Sequence, residues 1–345
     1  MHAKRLGFSG FVLAAAVLFS LALVVAGCGG GGGEGEGENG EAAKPERISI
    51  ATGGTGGTYY PYGGALAGII NNKVENVEAT AEVTGASVEN ARLLDTDETQ
   101  LGLLMNDVVY QAYKGENQFS QPIELRTFMC MYPNVMHLVT LSDNSPQSIS
   151  DIKGKKVSVG APGSGTENMA NQVLDALGIT YDDIEEFRLS FSENTEGLRD
   201  NVIDVGVWSV GAPTSSIMDL DTTHEIRILP FTDEEMNKIT TKYPYYGATT
   251  LAAGTYSGVE VDVNTPAVWN SVVVHKDMSE ELAYNLAKAV FESNEDLTAV
   301  YAGAKVSTPD NTITNAVIPL HPGVIKYFQE IGLDVSGDLM PPEMK

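Results

Sequence analysis

Two short stretches of matching chemistry, Gly54-Thr55-Gly56-Gly57-Thr58 and Gly163-Ser164-Gly165-Thr166, constrain this chain more than any other feature. Each follows a β-type run and precedes a helical one. Arg47-Ile48-Ser49-Ile50-Ala51 leads into the first loop. Beyond it Tyr62, Leu66, Ile69 and Ile70 fall on one helical face, with Pro61 in the first turn, where its missing N–H costs nothing. Val157-Ser158-Val159 leads into the second loop, followed by a helix with Ala170, Val173, Leu174 and Leu177 on its apolar face and Gly178 at its close. A strand, a glycine loop and a helix, written twice, predict sheets wound with helices.

The intervening sequence extends this pattern. Val77 to Val83 reads as a strand, followed by Thr84-Gly85-Ala86-Ser87 and a helix through Leu93 and Leu94. Leu101 to Met105 is a continuous apolar run of the kind buried in parallel sheets, and Asn106-Asp107 ends it before another helix. The loops of these units are expected to converge at the carboxyl edge of one sheet. A second lobe runs through Phe187 to Phe191, a helix around Gly197, and a strand from Val202 to Trp208, ending near Tyr243 to Gly247. The strand Ser271 to Val274 and the helix Glu280 to Glu292 return the chain to the first lobe. The expected fold is α/β, two doubly wound lobes with a hinge: lobe 1 from residues 47–138 and 249–345, lobe 2 from 139–248, with crossovers near Leu138-Val139 and Thr249-Thr250.

Ahead of this body, Lys4 and Arg5 precede an uncharged apolar run from Phe8 to Ala26, the form of a secretory signal over residues 1–27. Val25-Ala26-Gly27-Cys28 resembles a bacterial lipobox, which implies cleavage after Gly27 and acylation of Cys28. Residues 28–46, rich in Gly and Glu, bury nothing and form a tether. The expected location is extracytoplasmic, at the periplasm or the outer face of the cell membrane. With Cys28 acylated, Cys130 is left without a disulfide partner and sits in an apolar run as a buried small hydrophobe.

The chain carries 46 acidic against 21 basic side chains, a net charge of -25, which argues against nucleic acid and anionic lipid surfaces. It does not argue against a small anion, because helix N-termini offer unpaired N–H groups whatever the outer charge. Glycines in both loops let the backbone approach a ligand, while Ser and Thr add hydroxyl donors; the same residues also serve as turn and cap residues, Thr166 as an N-cap. Asn106 and Thr214, at strand ends, either reach the same cleft or cap their helices. Tyr59, Tyr60, Tyr62 and Trp208 supply cleft walls or pack beneath the loop. The P-loop lysine and the dinucleotide glycine spacing are both lacking. The histidines show no metal-ligand spacing and Ser164 lacks a nucleophile elbow, so neither enzyme activity, cofactor nor metal is expected.

Longer stretches resemble the TAXI family, solute-binding subunits of one class of TRAP transporters: Ile50 to Pro61, Gly85 to Asn90, Val157 to Glu167, Gly211-Ala212-Pro213-Thr214, Tyr243 to Tyr246, and Pro319 to Gly323. The resemblance implies a periplasmic-binding-protein type II fold, a monomer that closes on glutamate, 2-oxoglutarate or a similar carboxylate and delivers it to TRAP permease membrane subunits. Carried over by matched position, the ligand groups are Thr55, Gly56, Thr58 and Tyr59, with Ser87 and Asn106 beside them and Ser164, Gly165, Thr166 and Thr214 opposite. Two departures stand out: Gly54 where many relatives have serine, and Val207-Trp208-Ser209 before Gly-Ala-Pro-Thr. An ABC-linked binding protein and a ligand sensor for a receptor kinase are the alternatives.

Overall fold

The computed structural model describes residues 45–142, 146–335 and 337–345; the signal segment, Cys28 and nearly all of the tether lie outside them. Ten strands are present among these: β1 (Glu46–Ala51), β2 (Val77–Glu82), β3 (Leu101–Met105), β4 (Leu125–Leu141), β5 (Lys156–Ser158), β6 (Glu185–Phe187), β7 (Val205–Val210), β8 (Ile226–Ile228), β9 (Gly247–Leu251) and β10 (Val263–His275). The helices that position the cleft are α1 (Tyr59–Lys73), α2 (Ser87–Asp95), α3 (Asn106–Lys114), α4 (Gly165–Ala176), α5 (Phe191–Arg199) and α6 (Ser215–Asp221). Behind them lie α7 (Asp233–Lys242), α8 (Glu280–Phe291), α9 (Asn294–Val300), α10 (Pro309–Asn315) and α11 (Pro322–Glu330).

The strands form one continuous curled sheet in the order β2-β1-β3-β10-β4-β7-β5-β6, with β8 beside β4 and β9 beside β10. β1 runs parallel to β2 and β3, and β5 parallel to β6 and β7, so each end of the sheet is a wound parallel unit. Two long antiparallel strands join these ends. β4 pairs with β10 from Leu125 to Val135 and with β7 from Val135 to Val139. β10 pairs with β9 over Val263 to Ala267 and with β3 over Asn270 to Val273.

The apolar packing divides along the same lines. Ile48, Tyr62, Leu66, Phe128, Val272, Leu286 and Phe328 share one core; Leu138, Val157, Val173, Val205 and Ile239 share another. Leu251, Tyr256, Val259 and Val263 pack with Trp208 and Leu220. The apolar side chains from Leu251 to Val263 thus pack over β7 and α6, and β9 pairs with the start of β10. Within β4 the pairing passes from β10 to β7 at Val135, and within β10 it passes from β9 to β3 between Ala267 and Asn270, both in mid-strand.

Candidate functional site

The site lies where the two parallel units face each other across the seam. The β1–α1 loop brings Gly53, Gly54, Gly57, Thr58 and Tyr59 to one wall, and Thr84 to Ser87 at the start of α2 stand beside them. Opposite are Ala161, Ser164, Gly165 and Thr166 at the start of α4, and Ser190 and Phe191 at the start of α5. Met105, Asn134, Ser209 and Val210, at strand positions, close the base. These residues enclose about 100 Å³ of free space. No Asp, Glu, His, Lys or Arg lines it among the described residues.

What the walls offer is mainly hydrogen. Among the described residues nothing accepts the backbone N–H of Thr58, Tyr59, Gly165, Thr166 or Phe191, the first amides of α1, α4 and α5. The Thr58 hydroxyl oxygen accepts from the Tyr132 hydroxyl at 2.8 Å, and the Ser164 hydroxyl oxygen accepts from the Glu167 N–H at 3.1 Å. Each is thus left with its own proton to give. Ser164, not Thr166, is the N-cap of α4, and the nearly buried Thr166 hydroxyl has no protein partner among the described residues. Asn134 is spent, donating to Ser209 O at 3.0 Å and accepting from Asn270 at 2.9 Å. Tyr59 donates to Asn270 Oδ1 at 2.6 Å, and its burial raises the phenol far above its ordinary titration range.

Of the residues expected to bind a ligand, Thr58, Tyr59, Ser87, Ser164, Gly165 and Thr166 line this one cavity. Four do not. Asn106 turns away into the first lobe, where it accepts from Ser271 Oγ at 2.6 Å and donates to Asn315 O at 2.9 Å, so both ends of its amide are occupied. Thr55 and Gly56 border a separate outer groove with Ser192 and Arg199. Thr214 is buried and donates to Gly56 O at 3.2 Å, an inter-lobe bond in place of a ligand contact. Trp208 stacks behind Phe191 with ring centroids 6.1 Å apart and donates to Ser216 Oγ, and Tyr62 lies in the core bonded to Ser307.

Phe191 is a wall residue that the sequence reading did not single out. Ser190 and Glu193 form a capping box, each side chain accepting from the other's backbone N–H, and this starts α5 at Phe191. The Ser-x-x-Glu spacing was the available signal. Ala86 is another omission: at φ 73° and ψ −146° it occupies a region that only glycine enters freely, and it lines the cavity.

Contacts across the seam hold the lobes together. The Val88 and Glu89 N–H groups both donate to Gly163 O, at 3.1 and 3.2 Å. Asp107 on α3 accepts from Asn168 on α4 and from Tyr246, each at 2.8 Å, while its Oδ1 has no partner among the described residues. Burial pushes its carboxyl up to about 6 from an ordinary 3.8. Cys130 is buried as expected, its thiol pushed up to about 12 by the same desolvation. No group of three potential metal ligands occurs among the described residues, and no helix there is long and apolar enough to cross a membrane.

A family model described as NMT1-like matches residues 50–332, the whole of both lobes except their ends. The chain belongs to the NMT1-like family. Similar solved structures include the binding protein component of an ABC phosphonate transporter from Pseudomonas aeruginosa, 11% identical over 78% of this chain and 84% of that one, with a TM-score of 0.51. A protein from Bordetella bronchiseptica RB50 is 15% identical over 88% and 92%, with a TM-score of 0.51. The alkanesulfonate-binding protein SsuA from Xanthomonas axonopodis pv. citri, bound to MOPS, is 15% identical over 84% and 92%, with a TM-score of 0.45. The fold is thus of the periplasmic-binding-protein type II class. The NMT1-like match supports the binding-protein class that the motifs imply, without the narrower TAXI assignment.

Proposed function

We propose that this NMT1-like chain is an extracytoplasmic solute-binding lipoprotein that captures a small organic anion between its lobes and hands it to a membrane importer. The observation that carries the reading is the cavity at the seam, walled from both sides by unpartnered helix amides and by hydroxyls with protons to give. Such groups favour negative charge without a cationic side chain. Lobe closure is the mechanism, with the mid-strand crossings of β4 and β10 as hinge, and Cys28 as the lipid attachment. The fold likeness to the binding component of an ABC phosphonate transporter supports an ABC-type partner. A TRAP-type permease is the second reading, supported by the motifs from Ile50 to Pro61 and Val157 to Glu167. An ATPase encoded beside this chain favours the first, and a large permease with a four-span companion the second.

The test is thermal-shift and calorimetric screening of the chain against small carboxylates, sulfonates and phosphonates. A ligand raises stability by RT ln(1 + [L]/Kd), about 2.7 kcal/mol at a hundredfold excess over Kd. No response to any anion sinks the reading. Thr166→Val is expected to weaken binding by about 1 to 3 kcal/mol, since the cavity loses its one uncommitted hydroxyl among the described residues. Cys28→Ser is expected to move the protein from the membrane to the soluble fraction; unchanged fractionation removes the lipid anchor from the proposal.

A further inference from the structure

The two matching loops differ at Thr58, in a way that deepens the proposed binding function and rests on it. An N-cap threonine ordinarily turns its hydroxyl oxygen to the amide of the second or third residue of its helix. In α1 the third residue is Pro61, which has no N–H, and Thr58 itself has helical dihedral angles, φ −81° and ψ −22°; its side chain makes no capping bond. Ser164, at the same place in α4, does cap, accepting from the Glu167 N–H. The Thr58 hydroxyl is left to other partners, and the cavity lies on one side of it.

On the other side is Tyr132, on β4 and outside the lining. Its hydroxyl donates to Thr58 Oγ1 at 2.8 Å and meets no other acceptor among the described residues. The ring is buried and packs edge-to-face with Tyr62 and Tyr301, at centroid distances of 5.4 and 4.6 Å. Those two hydroxyls donate elsewhere, Tyr62 to Ser307 Oγ and Tyr301 to Ala212 O. Gly211 completes the seat: a Cβ there would stand 3.0 Å from Tyr132 Cε2, so the bare backbone opening Gly-Ala-Pro-Thr lets this strand end lie against the ring. Asn270 Nδ2 donates to the Tyr132 carbonyl at 2.6 Å and fixes the main chain. Burial raises the phenol well above its ordinary range, so the hydroxyl keeps its proton. A buried O–H without an acceptor is costly, and Tyr132 gives its proton to Thr58.

We propose that Tyr132 is a positioning residue of the binding site: by donating to Thr58 Oγ1 from behind the wall, it turns the Thr58 proton toward the cavity, where an oxygen of the bound anion accepts it. A hydroxyl has one proton and two lone pairs, and in a bond where Tyr132 is the donor the Thr58 proton has to point in another direction. No protein group among the described residues accepts it. The bond from Tyr132 also polarises the Thr58 O–H, which strengthens the bond that Thr58 makes in turn. Thr58 thus takes its direction from a residue 74 positions away that does not touch the ligand.

Calorimetry on the full-length chain in detergent tests this as a double-mutant cycle, with the tightest binder among glutamate, 2-oxoglutarate, ethanesulfonate and methylphosphonate as the probe. Tyr132→Phe keeps the ring and removes the hydroxyl; Thr58→Val keeps the shape and removes the hydroxyl through which Tyr132 acts. Tyr132→Phe is expected to weaken probe binding about fivefold in the parent and in a Thr58→Ser background, which retains a hydroxyl, but less than about twofold in a Thr58→Val background. A loss as large in the Thr58→Val background as in the parent would show that Tyr132 acts by packing alone, and unchanged affinity in the parent would show that it does not act on the site. Either result overturns the inference and leaves the binding function standing. Binding by none of the four probes removes the binding function and the inference with it.

Discussion

Asp107 and His137 are buried titratable groups whose effects on stability oppose each other. Burial raises the Asp107 carboxyl to about 6 from 3.8, so the folded state holds its proton more tightly than the unfolded state. Its contribution is favourable at low pH and is lost as pH rises from about 4 through 6. His137, also buried, is lowered to about 4 from 6.5, so the unfolded state takes the proton first and stability is lost as pH falls through that window. Each shift corresponds to about 3 kcal/mol, and between pH 4 and 6 they largely cancel. Asp107→Asn removes one side of the balance. Its amide still accepts from Asn168 and Tyr246, and it gains an N–H for Gln111 Oε1, which is buried without a partner one turn along α3. Urea unfolding is expected to show the variant more stable than the parent at pH 7.5 by about 2 kcal/mol and newly sensitive to acid between pH 6.5 and 4. Parallel pH profiles for parent and variant would remove Asp107 from this role. Ala86 gives a second prediction at this scale. Glycine relaxes its φ of 73°, and Ala86→Gly is expected to raise stability by about 1 kcal/mol, read as an increase in melting temperature.

At the scale of elements, the start of α4 meets the start of α2 and the end of β3 so closely that only glycine fits. A Cβ at Gly165 would come within 2.5 Å of Met105 Sδ and 2.6 Å of Ser87 Oγ. Both belong to the other lobe, so the clash is relieved by separating the lobes, without unfolding either. Gly165→Ala is therefore expected to weaken ligand binding by about 1 to 3 kcal/mol, roughly 5- to 150-fold, with little change in ligand-free melting temperature. A matching loss in melting temperature would show that the site is part of a core and not a moving seam. This geometry also separates what could be read in the sequence from what could not. α1 and α4 were legible because each has a one-sided apolar stripe and punctuating Gly or Pro, and the cavity wall follows from their N-termini. Asn106 was not, since a residue at a strand end has two directions open and only Ser271 and Asn315, distant in sequence, decide between them. Phe191 was legible only through its cap, and the exact points of crossing in β4 and β10 were not, because they lie in mid-strand, where nearly every side chain is buried on both sides of the change of partner.

For the whole molecule, the seam bonds describe one end of an equilibrium. Gly163 O accepts two amides from α2, Thr214 reaches Gly56 O, and Asp107 meets Asn168 and Tyr246. In a separated form these exposed groups turn to water, so each bond adds a net of only about 1 kcal/mol to closure, and the two states stay near balance. A ligand touching both walls then shifts the population by its differential affinity alone. Small-angle scattering on the ligand-free parent is expected to give a mean radius of gyration above that of the closed form, falling on saturation with a bound anion. Gly165→Ala should give the larger radius in both conditions, because Met105 and Ser87 bar its lobes from meeting. Thr214→Val, which loses one seam bond but leaves the cavity wall intact, should lie between the parent and Gly165→Ala without ligand and reach the closed radius at high ligand concentration. An identical radius for all three proteins, with and without ligand, would mean that the seam is fixed and that capture proceeds without closure.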